Sequence, residues 1–170
     1  MSTVEASIRP AGAKDLRRIG EIYDTYIVDS HVSFDVELWT WERRLEWWRA
    51  YEGRTLVAEV DGEVVGTSFA GPWRHKQAYR LSVETTVVLD RGHVGRGIGT
   101  DLLRGLLELL GRDGFHRAYA IVALPNEASI ALHRSLGYRT VGTLDEVGYK
   151  LGAFWSTVIM ERALPVSRPG

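Results

Sequence analysis

The chain contains no cysteine. That absence excludes disulfides, a cysteine nucleophile and thiolate metal sites, and it leaves the redox compartment undetermined. Neither sign of charge dominates: 21 Lys and Arg against 22 Asp and Glu give a net charge of −1. Nucleic acids and anionic membranes both call for a strong positive field, so neither is an expected partner and small or neutral ones are favoured. No apolar run reaches membrane-spanning length, and the first residues lack a basic-then-apolar leader profile. A cytoplasmic location is therefore the expectation. Two phosphate-binding patterns are also missing. The loop of nucleotide hydrolases ends Gly-Lys-Ser/Thr, whereas Gly99-Thr100 has no lysine between; the dinucleotide fingerprint needs a third glycine where Thr100 stands.

What the sequence does hold is 170 residues with 45% hydrophobic content. That suits one domain over residues 1–164, able to bury a core without staples, followed by a mobile tail over residues 165–170. Its organising stretch is His93-Val94-Gly95-Arg96-Gly97-Ile98-Gly99-Thr100. The β-branched run Ser82 to Leu89 precedes it, and Ile98, Leu102, Leu106 and Leu109 follow at helical spacing to about Leu110, with Gly111 and Asp113-Gly114 as stops. The pattern is strand, glycine turn, helix. Glycines at 95, 97 and 99 leave main-chain amides uncovered at a helix N-terminus, where orphan donors and the helix dipole favour an anion. A phosphate-bearing ligand fits; so does plain turn geometry.

Taken in order, Ala6 to Pro10 is a short strand, and Leu16, Ile19, Ile22, Tyr23, Tyr26 and Ile27 mark one face of a helix. The segment Asp29 to Asp35 is a polar loop carrying one aromatic, Phe34. A second helix starts near Thr40, although Arg43 stands where a capping box wants an acid or glutamine. Its tryptophans 39, 41, 47 and 48 line a cleft, or else pack the core or a subunit interface. Thr55 to Val60 and Glu63 to Ala70 flank Asp61-Gly62, a tight hairpin. Between residues 73 and 80 there is no acid, but Arg74, Lys76 and Arg80 are present: a solvated loop or a cradle for an acidic substrate. Glu84 sits in a strand short of charge, either facing solvent or half-buried with a pKa raised toward general-base use.

Arg117 to Ala123 is apolar enough for a strand covered on both faces. Asn126 caps a short helix from Glu127 to Leu136 that ends at Gly137, and His133 on it is a structural or a site histidine. Tyr138 to Val141 and Ala153 to Met160 form two further strands around a loop at Glu146 to Gly152.

This order of elements resembles the GNAT superfamily of N-acetyltransferases, an α/β (α+β) fold with a central mixed sheet flanked by helices. Gly97 and Gly99 match the small positions of its pyrophosphate turn, while Val94 departs from the leading arginine or glutamine. More narrowly, Leu56 to Val64, Ala70-Gly71-Pro72-Trp73, Glu84-Thr85-Thr86-Val87, Leu124-Pro125-Asn126, His133 and Val147-Gly148-Tyr149-Lys150 resemble phosphinothricin N-acetyltransferases. The resemblance implies acetyl-CoA as donor and phosphinothricin or a glutamate-like analogue, including methionine sulfoximine or sulfone, as acceptor, without a metal. It implies Glu84 as general base and His133 as donor to the departing thiolate or orienting group. Cofactor contacts would come from Val87, Val88, Leu89, Gly95, Arg96, Gly97, Ile98, Gly99, Thr100, Asn126 and Ser135, and acceptor contacts from Phe34, Arg74, Lys76, Tyr79 and Thr86. It also implies a homodimer, for which the tryptophan-rich helix offers a contact. Val88, Ala123 and Ser156 replace a tyrosine, a glycine and an aspartate of the family pattern, and such changes in a pocket alter which amine is accepted. A protein N-terminus, a polyamine or another small amine are rival acceptors, a polyamine fitting poorly beside a basic stretch. A CoA-binding module without activity is the rival of a different class.

Overall fold

At Asp61 and Gly62 the backbone takes φ of 51° and 82°, the double positive turn that matches the twist of two antiparallel strands. The strands it joins are β2 (Thr55–Val60) and β3 (Glu63–Pro72). The structure is a computed structural model and describes residues 5–165. Its other strands are β1 (Ser7–Pro10), β4 (Ser82–Leu89), β5 (Arg117–Ala123), β6 (Arg139–Lys150) and β7 (Ala153–Ala163). The helices are α1 (Leu16–Asp29), α2 (Trp41–Tyr51), α3 (Ile98–Arg112) and α4 (Glu127–Ser135). All seven strands form one mixed sheet in the order β1-β2-β3-β4-β5-β7-β6. Every neighbouring pair is antiparallel except β4 and β5, which need the α3 crossover to run parallel.

The larger core lies between the sheet and α3, whose Leu102, Leu103, Leu106 and Leu110 are fully buried against Leu56, Ala58, Val83, Ala118 and Met160. A smaller one on the opposite face packs Ile19 and Ile22 of α1 on Val57 and Val64. The i, i+3/i+4 spacing of leucines thus decides which face of α3 meets the sheet. Thr40 caps α2 by accepting the Arg43 N–H at 3.2 Å, and Asn126 caps α4 by accepting the Ser129 N–H at 3.2 Å.

Several expectations need correction. α3 continues through Gly111 and ends at Arg112, with Gly114 at φ 85° providing the stop. The loop expected at Glu146 to Gly152 is mostly strand: β6 runs to Lys150 and turns only at Leu151-Gly152. Two register shifts, after Thr140 and after Leu144, absorb the extra residues, and Ser156 Oγ accepts the Glu146 N–H at 2.9 Å where Glu146 takes φ 49°. The tail expected over residues 165–170 falls, from residue 166 on, outside the described residues.

The tryptophan-rich helix also turns inward. Trp48 is buried, Trp47 packs edge-on against Phe69 at 4.9 Å, and Trp39 packs against Tyr23 and Trp47. Of the four, only Trp41 is exposed, so this face is largely occupied by the protein itself. No described helix is long and apolar enough to cross a membrane.

Candidate active site

β4 and β5 are paired only from Ser82 with Arg117 to Glu84 with Tyr119, although both strands continue beyond. Past that point they part. The Thr85 hydroxyl donates to the Tyr119 carbonyl at 3.1 Å, so its oxygen accepts from Tyr138 Oη at 2.7 Å. A buried hydrogen-bond relay therefore satisfies the backbone where the ladder stops. At the far end of β4, Tyr26 Oη donates to the Leu89 carbonyl at 2.6 Å.

The parted strands enclose a slot of about 710 Å³ that opens to both faces of the sheet. One wall is Thr85 to Leu89, the other Ala120 to Ala123. Toward the α3 and α4 side it meets Val94, Gly95, Gly97, Gly99, Thr100, Asn126, Ser129, His133 and Ser135; toward the α1 side it meets Tyr23, Tyr26, Val32 and Ser33. Ile121 is 40% exposed because it looks into this slot, which corrects the expectation that β5 is covered on both faces.

Gly95 and Gly97 take φ of 76° and 82°, and a methyl group added at either would meet no protein atom within 4 Å. Backbone conformation, not crowding, requires glycine there. Gly97 precedes α3 with no side chain capping the helix start, and no group among the described residues accepts from the amides of Ile98, Gly99 or Thr100. A helix N-terminus with free donors opening on a cavity is suited to a phosphate group. The Ile98 side chain is buried in the core, so that residue offers its main chain alone; Arg96 is exposed beside the slot without lining it.

Glu84 is half-buried in the last pair before the strands part, on the same face as Thr86. Burial raises its pKa above the ordinary carboxylate value, and the charge of Arg74 opposes the rise. It does not itself line the slot; Thr86, two residues on, does. The Arg74 guanidinium lies 4.1 Å from the centre of the Trp73 ring, which stacks on Tyr119 at 4.3 Å. Arg74, Lys76 and Tyr79 stand exposed on the β3–β4 connection, and none of the three lines the slot. Phe34 also lies outside the lining: its ring packs on Gly148 of β6, where any Cβ would run into it.

His133 is buried, and its Nδ1–H donates to the Ser129 carbonyl at 2.7 Å. Burial lowers its pKa, outweighing the support of that bond. The neutral ring therefore carries its proton on Nδ1 and leaves Nε2 as an acceptor. Asn126 spends Oδ1 on the α4 cap, while Ser135 Oγ donates to the Leu132 carbonyl at 2.7 Å; both line the slot. Among the described residues no three His, Asp or Glu side chains are placed to share a metal ion.

Sequence reasoning misses Tyr23, Tyr26, Val32, Ser33 and Ser129 as slot residues. Two tyrosines three apart on an apolar helix face, each with a polar tip, are the available signal for the first pair. Ser156, expected to alter the pocket, serves the β6 bulge instead. The residue of β7 opposite Ala123 is Thr157, whose buried hydroxyl has no partner among the described residues.

A family model described as "Acetyltransferase (GNAT) family" matches residues 19–138. The chain is 39% identical over 168 residues to a phosphinothricin N-acetyltransferase of Streptomyces coelicolor, covering 95% of this chain and 98% of that one. It is 32% identical to an L-methionine sulfoximine/L-methionine sulfone acetyltransferase of Pseudomonas aeruginosa, covering 97% and 98%. Among solved structures, a GNAT superfamily phosphinothricin acetyltransferase from Sinorhizobium meliloti in complex with AcCoA superposes with a TM-score of 0.89 at 31% identity, covering 97% of this chain and 92% of that one.

Proposed function

Because the chain belongs to the GNAT family of acetyltransferases, we propose that it transfers acetyl from acetyl-CoA to the α-amino group of a small glutamate-like amino acid, phosphinothricin or methionine sulfoximine and sulfone among them. The observation that carries the reading is the slot between β4 and β5, which connects the free donors of α3 on one side of the sheet with the α1 side on the other. Its volume lies within the usual range for small-molecule sites.

Acetyl-CoA, when bound, supplies an activated acetyl thioester. The amides at the start of α3 hold its diphosphate, the unpaired edge of β4 from Val87 to Leu89 holds its pantetheine arm, and Asn126 and Ser135 add polar contacts. The acceptor enters from the side of Tyr23, Ser33 and Thr86. An ammonium has no lone pair, so it must lose a proton before its nitrogen bonds the acetyl carbon and the carbon–sulfur bond breaks to release the CoA thiol. Glu84 takes that proton. It stands two residues before Thr86 on the same face of β4 and outside the slot lining, so a bridging water carries the proton to it. Arg74, beside Glu84, attracts the acidic end of the acceptor.

Thiol release with acetyl-CoA and a panel of amines tests this. Phosphinothricin, methionine sulfoximine and methionine sulfone should give a kcat/KM at least about 100-fold above spermidine and an alanine-terminated peptide, because polar groups of the site are left unpaired by ligands that lack their partners. Preference for spermidine or the peptide, or acetyl-CoA binding without turnover of any amine, would overturn the assignment.

The active species is a homodimer formed through β6. This edge strand leaves its outer side unpaired, and Val141, Leu144, Val147 and Tyr149 on it, with Phe154 on β7, are exposed. A long unpaired edge that carries exposed apolar side chains is a template for a second copy of the same strand. Light scattering should find a dimer at micromolar protein and a monomer for Val147→Lys. A wild-type monomer would sink this point.

A further inference from the structure

Lys150 is the last residue of β6 and only 5% exposed, an unusual place for an ammonium. Its Nζ donates to the Ser33 carbonyl at 2.6 Å and to the Tyr26 carbonyl at 3.2 Å, and among the described residues no carboxylate stands within hydrogen-bonding reach of it. A buried charge without a paired counterion is expensive, and methionine would fill the same volume without it. What the charge does here is join two stretches of main chain. Tyr26 belongs to α1, Ser33 to the connection between α1 and α2, and both line the slot.

The same connection is held at two other points by the β6–β7 hairpin and its neighbour. The Phe34 ring rests on Gly148, and His31 stacks on Trp155 at 4.4 Å while its Nε2 donates to the Pro125 carbonyl at 2.9 Å. Trp155 Nε1 in turn donates to the Lys150 carbonyl at 2.8 Å. Lys150 is the one charged anchor in this set, and it holds the residue that forms the slot wall.

We propose that Lys150 is a positioning residue for the acceptor: seated between the carbonyls of Tyr26 and Ser33, its ammonium holds the chain at Val32 and Ser33 in place as the acceptor-side wall of the slot. The inference rests on that end of the slot receiving the amine. The groups that face the ammonium sharpen the geometry. Burial holds the ammonium below the ordinary lysine range, and Asp35 and Asp29, at the two ends of the connection, offset only part of that by favouring the charged form. Each acid is itself held, Asp29 by Arg91 and Asp35 by Tyr23 and Arg43. The ammonium thus sits inside a loop whose ends are fixed independently, and its own contribution is to the middle.

Lys150→Met removes the two hydrogen bonds and keeps the volume. Measured with methionine sulfone as acceptor, its KM should rise at least about tenfold, the loss expected of charged hydrogen bonds to main chain, while the KM for acetyl-CoA stays within about twofold. Amide hydrogen exchange of the ligand-free protein should accelerate across residues 31–35 and stay unchanged across α3. Lys150→Gln keeps a neutral donor of similar length and should move both readouts in the same direction by less, which keeps the test decisive should the methionine variant fail to fold. Unchanged exchange and unchanged acceptor KM, or a parallel rise in both KM values, would overturn the proposal. Absence of turnover with any amine in the wild type would instead remove the function proposed above, and the exchange comparison would still decide the role of Lys150.

Discussion

Glu84→Gln should lower kcat/KM for the acceptor amine by about 10²- to 10⁴-fold at pH 7, the range a positioned general base contributes. Glutamine keeps the shape and the half-burial of the site but cannot accept a proton. Burial raises the Glu84 pKa and Arg74 restrains the rise, so the wild-type kcat/KM should fall on an acid limb above the ordinary carboxylate range. The variant should lack that limb. Its deficit should also shrink at high pH, because the free amine then arrives without its proton. A pH profile of kcat/KM for both proteins checks the argument, and superimposable profiles would remove Glu84 from the base role.

Stability responds with the opposite sign, which separates chemistry from unfolding. A carboxyl whose folded-state pKa is raised stabilises the fold while protonated, and that contribution is lost as pH rises through the folded pKa. At pH 8 the wild type carries a half-buried carboxylate, whereas the amide of the Glu84→Gln variant is uncharged. The variant should therefore melt at or above the wild-type temperature there, even as its activity falls. Loss of both together would point to a damaged fold.

How far these residues are legible from sequence depends on what fixes them. The hairpin at Asp61-Gly62, the α3 leucines and the Asn126 cap are local: turn chemistry, helical period and a single hydrogen bond settle them, and the structure agrees. The extent of β6 is not legible, because an edge strand exposed on both faces shows no alternation of apolar and polar residues, and its bulges break whatever period remains. The glycine turn and β4 stand out as site elements since their conformations are written in residue type. The α1-side wall does not, because the Ser33 carbonyl is held by Lys150, 117 residues along the chain, a contact that no local pattern displays.

The same distinction applies to His133. Its position on α4 is apparent from spacing, but its protonation state depends on the Ser129 carbonyl and on burial, neither of which the sequence displays. With Nδ1 committed and the ring neutral, Nε2 is left as an acceptor on a residue that lines the slot. Of the two roles the resemblance implies, orienting a group through that acceptor is the one this geometry favours over donating to a thiolate.

Gly97→Val should raise the KM for acetyl-CoA by about 10- to 100-fold with a smaller change in kcat, the pattern of lost binding that is not confined to the transition state. Valine at φ 82° is strained by at least about 1–2 kcal/mol, since its Cβ crowds the carbonyl in the left-handed region. No protein atom lies within 4 Å of that Cβ, so the substitution acts through the backbone and not by a clash within the protein. The chain escapes the strain only by changing φ, which reorients the free amides at the start of α3, where Gly97, Gly99 and Thr100 line the slot. Strain of that size should also lower the melting temperature by about 2–8 °C in a domain of this length. The donor itself supplies the control. Acetyl-pantetheine carries the thioester and the arm but no diphosphate, so its KM should be nearly indifferent to the variant. An equal rise for both donors would mean that Gly97 shapes the slot as a whole, and that its amide cradle does not hold the phosphates.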